Sequence, residues 1–257
     1  MIRMRRGAAA AGVLLVLGVA CTGGGSGDEL DLSPPAESPF ADIDSEGVVQ
    51  DTSHRADTFH VAEATGDTLV VRATPEDNGD EIRNLTAAEE VSGRVVCLVS
   101  QELGDWVSIY LPTGPEETIG WVKRDDVTLT RHQYRIEVDR AAHTLTVFNG
   151  EDTVVSTPIA VGPDAPAPGS RLFVKDLVAT PDPAGPYGTY AYGLSGSSND
   201  LAAFASGTGV VALHGTNDPA TLGLDVDHGA VALDPAALTN LVETVGLPLG
   251  TPVEVTG

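Results

Sequence analysis

The chain of 257 residues holds two cysteines, Cys21 and Cys97, too few for a disulfide framework or a thiolate zinc site. Basic residues are scarce. Lys+Arg number 14 against 37 Asp+Glu, for a formal net charge of -23, and Lys123 and Lys175 are the only lysines. Nucleic acid is therefore disfavoured as a partner, because phosphate binding needs a basic face. Apolar runs are short: the longest, Ala8 to Ala20, falls below the roughly 20 residues of a spanning helix. Long amphipathic runs are few, whereas Gly numbers 29 and Pro 17, which argues for a turn-rich β protein over a helical bundle. Hydrophobic content of 42% against 20% charged is that of a globular chain.

Residues 1–21 read MIRMRRGAAAAGVLLVLGVAC. Arg3, Arg5 and Arg6 make a basic head, the apolar run follows, and small residues lead to Cys21, as in a secretory leader. The segment resembles a bacterial lipoprotein signal, in which the cysteine is lipidated after cleavage; it departs from that pattern at Gly18, where Leu is usual. The resemblance implies a chain anchored to the membrane through Cys21 and lying outside the cytoplasm. Residues 22–57 are rich in Gly, Ser, Pro, Asp and Glu without apolar periodicity, and read as a flexible acidic spacer.

From residue 58 to 130 short β-type runs alternate with turns. Strands are expected at Thr68–Val71, Val95–Ser100, Trp106–Leu111 and Ile119–Val122. The stretches TLVVRATPEDNGDEIRNL and GDWVSIYLPTGPEETIGWV resemble the opening and close of a bacterial SH3-like domain. That likeness implies a small barrel with Trp106 and Trp121 on a peptide-binding face, although core packing is the other fate open to such residues. Cys97, inside the apolar run VVCLVS, reads as a buried structural thiol.

Residues 133–257 are again β. YRIEVD (Tyr134–Asp139) and HTLTVF (His143–Phe148) alternate over a short turn, a hairpin pattern. Helix is scarce, with one short piece at Leu201–Ser206 and one after Asp234. There Asp234 is an N-cap, Pro235 opens the helix, Leu238, Leu241 and Val242 face inward, and Gly246 ends it. Pro252–Val255 is the last strand.

The chemistry lies in VALHGTNDPATLGLDVDHGAVAL. His214-Gly215 and His228-Gly229 stand 14 residues apart, each at the edge of an apolar strand, with Thr216 and Gly223 between them. This segment resembles the signature of L,D-transpeptidases of the YkuD type: His-Gly-Thr, a Gly-containing loop, then Ser-His-Gly-Cys. Thr157-Pro158 and the GLSG of Gly193–Gly196 extend the likeness upstream to Tyr134. It implies a β-sandwich with one or two short helices and peptidoglycan stem peptides as substrate. A cysteine thiolate attacks a peptide carbonyl, a histidine acts as general base, and backbone N–H groups hold the oxyanion. Carried over, His214 is the base and His228, Gly229 and Ala230 form the oxyanion hole. Gly215, Thr216 and Ser195, with Trp106 and Trp121, line the substrate.

The departures point one way. Ala230 stands where the family has its nucleophilic Cys, Ala232 where it has Arg, and Asp227 where it has Ser or Thr. A methyl group is no nucleophile, so the expectation is a catalytically degenerate transpeptidase domain that binds or regulates. Its partners are then peptidoglycan stem peptides and cell-wall synthesis proteins, and no cofactor is called for. Three alternatives stay open: a substitute hydroxyl from Ser195, Ser197, Ser198 or Thr216 near His214; a metal held by His214, His228 and Asp227; and a protein-docking module without wall affinity.

Overall fold

The structure, a computed structural model, describes residues 58–180, 182–196, 212–226 and 230–257. Cys21 with the segment 22–57, the helix expected at Leu201–Ser206, Ser197, Ser198, Asp227, His228 and Gly229 lie outside the described residues. Among those described, no helix is long and apolar enough to cross a membrane. The chain is mainly β.

The N-terminal lobe contains β1 (Phe59–Ala64), β2 (Thr68–Arg72), β3 (Glu81–Thr86), β4 (Val96–Leu103), β5 (Trp106–Tyr110), β6 (Ile119–Lys123) and β7 (Val127–His132). Their hydrogen-bonded order is β3-β2-β6-β5-β4-β1-β7. The small barrel expected here is thus an open order whose ends, β3 and β7, do not pair. The strand β4 turns the corner: Val96–Leu98 pair with β1, and from Val99 onward the strand pairs with β5, with a register shift between Val99 and Gln101. Phe59, Leu69, Val71, Val99, Val107, Ile109 and Val122 fill the space between. Cys97 is fully buried among them, and burial, with the Glu90 charge second, pushes its thiol pKa up.

The second lobe contains β8 (Tyr134–Asp139), β9 (Thr144–Asn149), β10 (Asp152–Val161), β11 (Arg171–Ala179), β12 (Tyr190–Leu194), β13 (Ala212–Gly215), β14 (Val231–Leu233) and β15 (Pro252–Thr256). Here the expected sandwich is closed at both sides into a barrel, β10-β14-β13-β12-β11-β15-β8-β9. Two long strands do this by serving both sheets. β10 pairs with β9 over Asp152–Pro158 and with β14 over Ile159–Val161. β11 pairs with β15 over Arg171–Phe173 and, from Val174, with β12. Each also carries a register shift, at Thr153/Val155 inside the β9 pairing and at Val174/Asp176 where β11 passes from β15 to β12; an irregularity at such a change of partner lets a strand bend from one sheet into the next. Closure leaves no open edge.

Ile136, Val138, Leu145, Val147, Ile159, Leu213 and Val231 point into the barrel and are buried, each contributing about 1.5–3 kcal/mol of apolar burial. The helix α1 (Pro235–Thr239) covers one end. Asp234 caps it, its side chain accepting from the N–H groups of Ala236 and Ala237, and Pro235 opens it. Past Thr239 the spacing widens into a π-helical turn, Asn240–Val245, which stops at Gly246 in the left-handed region at φ 64. Leu238 and Leu241 are buried beneath it.

The lobes share material. Phe173 of β11 packs into the N-terminal core, and the Ser92 N–H donates to Asp176 Oδ1 at 2.8 Å. Thr113 bridges to Gly196.

Candidate functional site

His214 stands on β13 in the middle of a register row. Its backbone partners are Ala191 on β12 and Ala232 on β14, and Ala232 in turn pairs with Ala160 on β10. Alternation places this row on the outer side of the barrel wall, since Leu213 and Val231, one residue over, belong to the interior. Three alanines beside one imidazole leave a low floor from which His214 rises. Its side chain is nevertheless buried, with 5% of the residue exposed.

Two contacts orient the ring. Nδ1 lies 2.7 Å from the carbonyl oxygen of Gly215. A carbonyl only accepts, so Nδ1 carries the proton in this contact. Tyr187 packs edge-on against the ring, centroids 5.1 Å apart. The backbone that brings Tyr187 there depends on two glycines: the Gly215 N–H donates to the Tyr187 carbonyl at 2.8 Å. A Cβ on Gly215 would stand 3.0 Å from both that carbonyl oxygen and the Cα of Gly188. Gly188 itself sits at φ 70, a conformation that suits glycine. The glycine after His214 is therefore a close-approach position as well as part of a motif.

The other expected site residues divide. Ala230 immediately precedes β14 and is buried; its carbonyl accepts from the Gly162 N–H at 2.7 Å. It lies two residues, about 7 Å, along the chain from Ala232, the strand partner of His214. Thr216 follows Gly215, but its hydroxyl serves its own loop: Oγ1 accepts from the Asp218 N–H at 3.0 Å.

Ser195 is elsewhere. It lies just past β12, four residues from Ala191 and about 13 Å away, and its Oγ accepts from the Phe173 N–H at 2.9 Å. The structure does not bring it to His214. Trp106 and Trp121 share one face of the β5–β6 hairpin, where Trp106 pairs with Lys123 and Trp121 with Ser108. Trp106 is almost covered, with the Lys123 ammonium 4.4 Å above its ring, while Trp121 is half-buried. Neither belongs to the lobe's apolar core. Among the described residues no group of His, Cys, Asp and Glu is arranged to hold a metal.

Two features near the site escaped the sequence reading. His143, at φ 51, points its Nε2 at Asp225 Oδ1, 3.1 Å away, and ties the loop after β13 to the start of β9. That loop is also laid along β10 by the pairing of Val161 with Asp225. A histidine at the head of an alternating strand reads as a strand residue, so only the positive φ marks it.

Residues 133–255 match the family model described as YkuD, L,D-transpeptidase catalytic domain. The putative L,D-transpeptidase YkuD of Bacillus licheniformis is 30% identical over 123 residues, 48% of this chain and 66% of the relative. The chain thus spans a little under two thirds of that relative's length. Among solved structures, an L,D-transpeptidase from Xylanimonas cellulosilytica is 16% identical, covering 48% of this chain and 59% of that one, with a TM-score of 0.34. An Enterococcus faecium L,D-transpeptidase variant is 19% identical over 48% of this chain and 49% of that one, with a TM-score of 0.36. Residues 133–255, the part of the chain that builds the barrel around His214, are thus similar to an L,D-transpeptidase catalytic domain.

Proposed function

We propose that this protein is a cell-envelope lipoprotein, held to the membrane outside the cytoplasm by acylation at Cys21, whose C-terminal domain binds peptidoglycan stem peptides without cross-linking them. One observation carries the reading: residue 230, which the resemblance assigns to the family's nucleophile, is alanine. A methyl group has neither a lone pair to attack a carbonyl nor an acidic proton for His214 to remove. Deleting a covalent nucleophile costs about four or more orders of magnitude in rate.

What remains is a binding surface. His214, its ring oriented by the Nδ1 contact with Gly215, stands beside the strand row along which an extended peptide would lie. The backbone N–H groups around His228, Gly229 and Ala230, oxyanion donors in the family, are left to hold a ground-state carbonyl. With Ala232 in place of arginine, recognition leans less on a substrate carboxylate and more on main-chain bonds. A substitute nucleophile gains no support from Ser195, whose hydroxyl accepts from Phe173, or from Thr216, whose hydroxyl accepts from Asp218.

The test is mass spectrometry of the purified chain incubated with tetrapeptide-stem muropeptides, alongside co-sedimentation with sacculi. The expected result is no new product, with sedimentation that weakens in His214→Ala and in Trp121→Ala. Cross-linked or trimmed products that vanish in His214→Ala would overturn the non-catalytic reading. Sedimentation at background level, with a stable protein partner recovered instead, would replace wall binding by protein docking. The double variant Ala230→Cys/Ala232→Arg is expected to gain product formation.

A further inference from the structure

Away from His214, β11 carries two charged side chains into the seam between the lobes. Phe173 and Lys175 alternate onto one side of the strand, and Phe173 packs there into the N-terminal core. The register shift at Val174/Asp176 makes Lys175 the extra residue of a bulge. Asp176 is thereby turned toward the same lobe, where its Oδ1 accepts from the Ser92 N–H at 2.8 Å. A turn of the N-terminal lobe delivers the third group. Residues 90–93 close on themselves through the Gly93 N–H, which donates to the Glu90 carbonyl at 2.9 Å. That turn sets Glu90 Oε2 2.6 Å from Lys175 Nζ, and Asp176 Oδ2 lies 3.5 Å from the same nitrogen. All three residues are buried, and Cys97, buried as well, is the other titratable group that faces them.

Three features distinguish this cluster from an ordinary buried ion pair. The first is reach. A carboxyl C–O bond of about 1.23 Å puts Glu90 Cδ no more than about 3.8 Å from Nζ, against about 3–3.5 Å for reacting atoms held in attack geometry. The second is protonation. Moving one proton from Nζ to Oε2 along their hydrogen bond converts ammonium and carboxylate into amine and carboxylic acid, with no change in the net charge of the cluster. Removal from water favours that uncharged pair. Burial accordingly pushes the Glu90 carboxyl pKa up; the Lys175 contact opposes the rise and the Asp176 charge adds to it. The third is that a second carboxylate, Asp176, stands within reach of the amine to carry a proton. Exclusion of water also disfavours hydrolysis of any bond formed there.

We propose that Lys175 and Glu90 condense into an isopeptide bond that staples the barrel to the N-terminal lobe, with Asp176 as the proton relay. Lys175 Nζ, as the free amine, attacks Cδ of the Glu90 carboxylic acid. Asp176 takes one of the two amine protons and gives it to the departing hydroxyl. One N–C bond forms, one C–O bond breaks and one water leaves, so the step consumes no oxidant and no activated group. The product closes a covalent loop from residue 90 to residue 175 and fixes β11 against the turn at residues 90–93. The ion pair is the resting state: the freshly purified chain holds it, and the amide accumulates on standing. This chemistry is independent of what the His214 site binds.

The experiment is intact-mass spectrometry and tryptic mapping of the purified chain, held folded at 37 °C and pH 7 for several days. The expected result is a growing species lighter by one water. Its digest should contain a branched peptide joining residues 84–94 to the stretch that begins at residue 172, uncut at Lys175. Lys175→Arg keeps the charge but lacks the amine, and is expected to stay at full mass. Asp176→Asn is expected to slow the loss of water at least about tenfold, the low end for removing a proton carrier. A wild-type chain that keeps its circular dichroism and its full mass would overturn the proposal. So would water loss that persists in Lys175→Arg or maps to other residues. An unchanged rate in Asp176→Asn would overturn the relay. Should Lys175→Arg not fold, the branched peptide of the wild-type chain decides alone, because it names the two residues joined. Sacculus binding is read separately, so failure here leaves the function proposed for the His214 site standing.

Discussion

Lys175 of the barrel donates to Glu90 of the N-terminal lobe across 2.6 Å, with 6% and 5% of their side chains exposed. Asp176, also buried, lies 3.5 Å from the same ammonium and accepts from the Ser92 N–H. Three charges, one positive and two negative, are thus withdrawn from water at the seam between the lobes. Burial raises the Glu90 carboxyl pKa, and the hydrogen bond from Lys175 opposes that rise.

Removing Lys175 would leave two buried carboxylates uncompensated. Lys175→Met is expected to cost about 3–5 kcal/mol in urea unfolding at pH 7, the range for breaking a buried pair from one side. Lys175→Met/Glu90→Met removes both partners, and is expected to recover more than half of that loss. Equal losses in the single and double variants would show that packing of the lysine stem, not its charge, holds the seam.

His132 ends β7 where the chain crosses into the barrel. Its Nδ1 accepts from the Tyr134 N–H at 3.1 Å, and its ring lies 6.1 Å from those of Phe59 and Tyr134. Burial lowers its pKa from 6.5 to about 4. Between these values the unfolded chain binds the proton and the folded chain does not, so stability rises with pH. The contribution is complete above pH 6.5 and is lost as pH falls toward 4, to a total of about 3 kcal/mol. In His132→Phe the slope of unfolding free energy between pH 6.5 and 5 is expected to flatten. An unchanged slope would assign that acid sensitivity to other groups.

How far the pattern could be read depended on where each strand sits. YRIEVD and HTLTVF alternate because β8 and β9 are buried on one face only, and both strands lie within a residue of where the alternation places them. The cap at Asp234 and the stop at Gly246 were equally legible, since each is a local hydrogen-bonding or φ requirement. β3, EIRNLT, was not: it is an edge strand with Leu85 its one buried side chain, so it carries no alternation. Barrel closure was hidden too, because β10 and β11 each change partners midway and apolar periodicity does not say which neighbour a strand pairs with. At the site, His214 and its glycine were readable as a motif. The row Ala191–His214–Ala232–Ala160 was not, because it joins four strands from four parts of the chain.

Tyr192 is fully buried in the barrel, and its hydroxyl has no hydrogen-bond partner among the described residues. Burial raises its phenol pKa. An unpaired hydroxyl in an apolar core is a cost, so Tyr192→Phe is expected to stabilise the chain by about 1 kcal/mol in thermal or urea unfolding. A loss of similar size would show instead that the hydroxyl is bonded in solution.

The sharpest test of how the His214 site is built is Gly215→Ala. The added methyl meets the Gly188 Cα and the Tyr187 carbonyl, both at 3.0 Å; these are backbone atoms, with no rotamer by which to yield. Accommodation requires the two segments to separate, which weakens the Gly215 N–H bond to Tyr187 and draws the tyrosine ring away from His214. The expected loss is about 2–3 kcal/mol of stability, in the range for overpacking at a close contact. The imidazole reports the movement directly, because its carbon-bound protons sit in the ring current of Tyr187 and should shift toward random-coil values. Gly188→Ala forces the same separation from the other side, with the added strain of φ 70, and is expected to move those protons in the same direction. If both variants left the His214 resonances in place, the glycine pair would be setting only the loop, and the Tyr187 contact would not be what orients the imidazole.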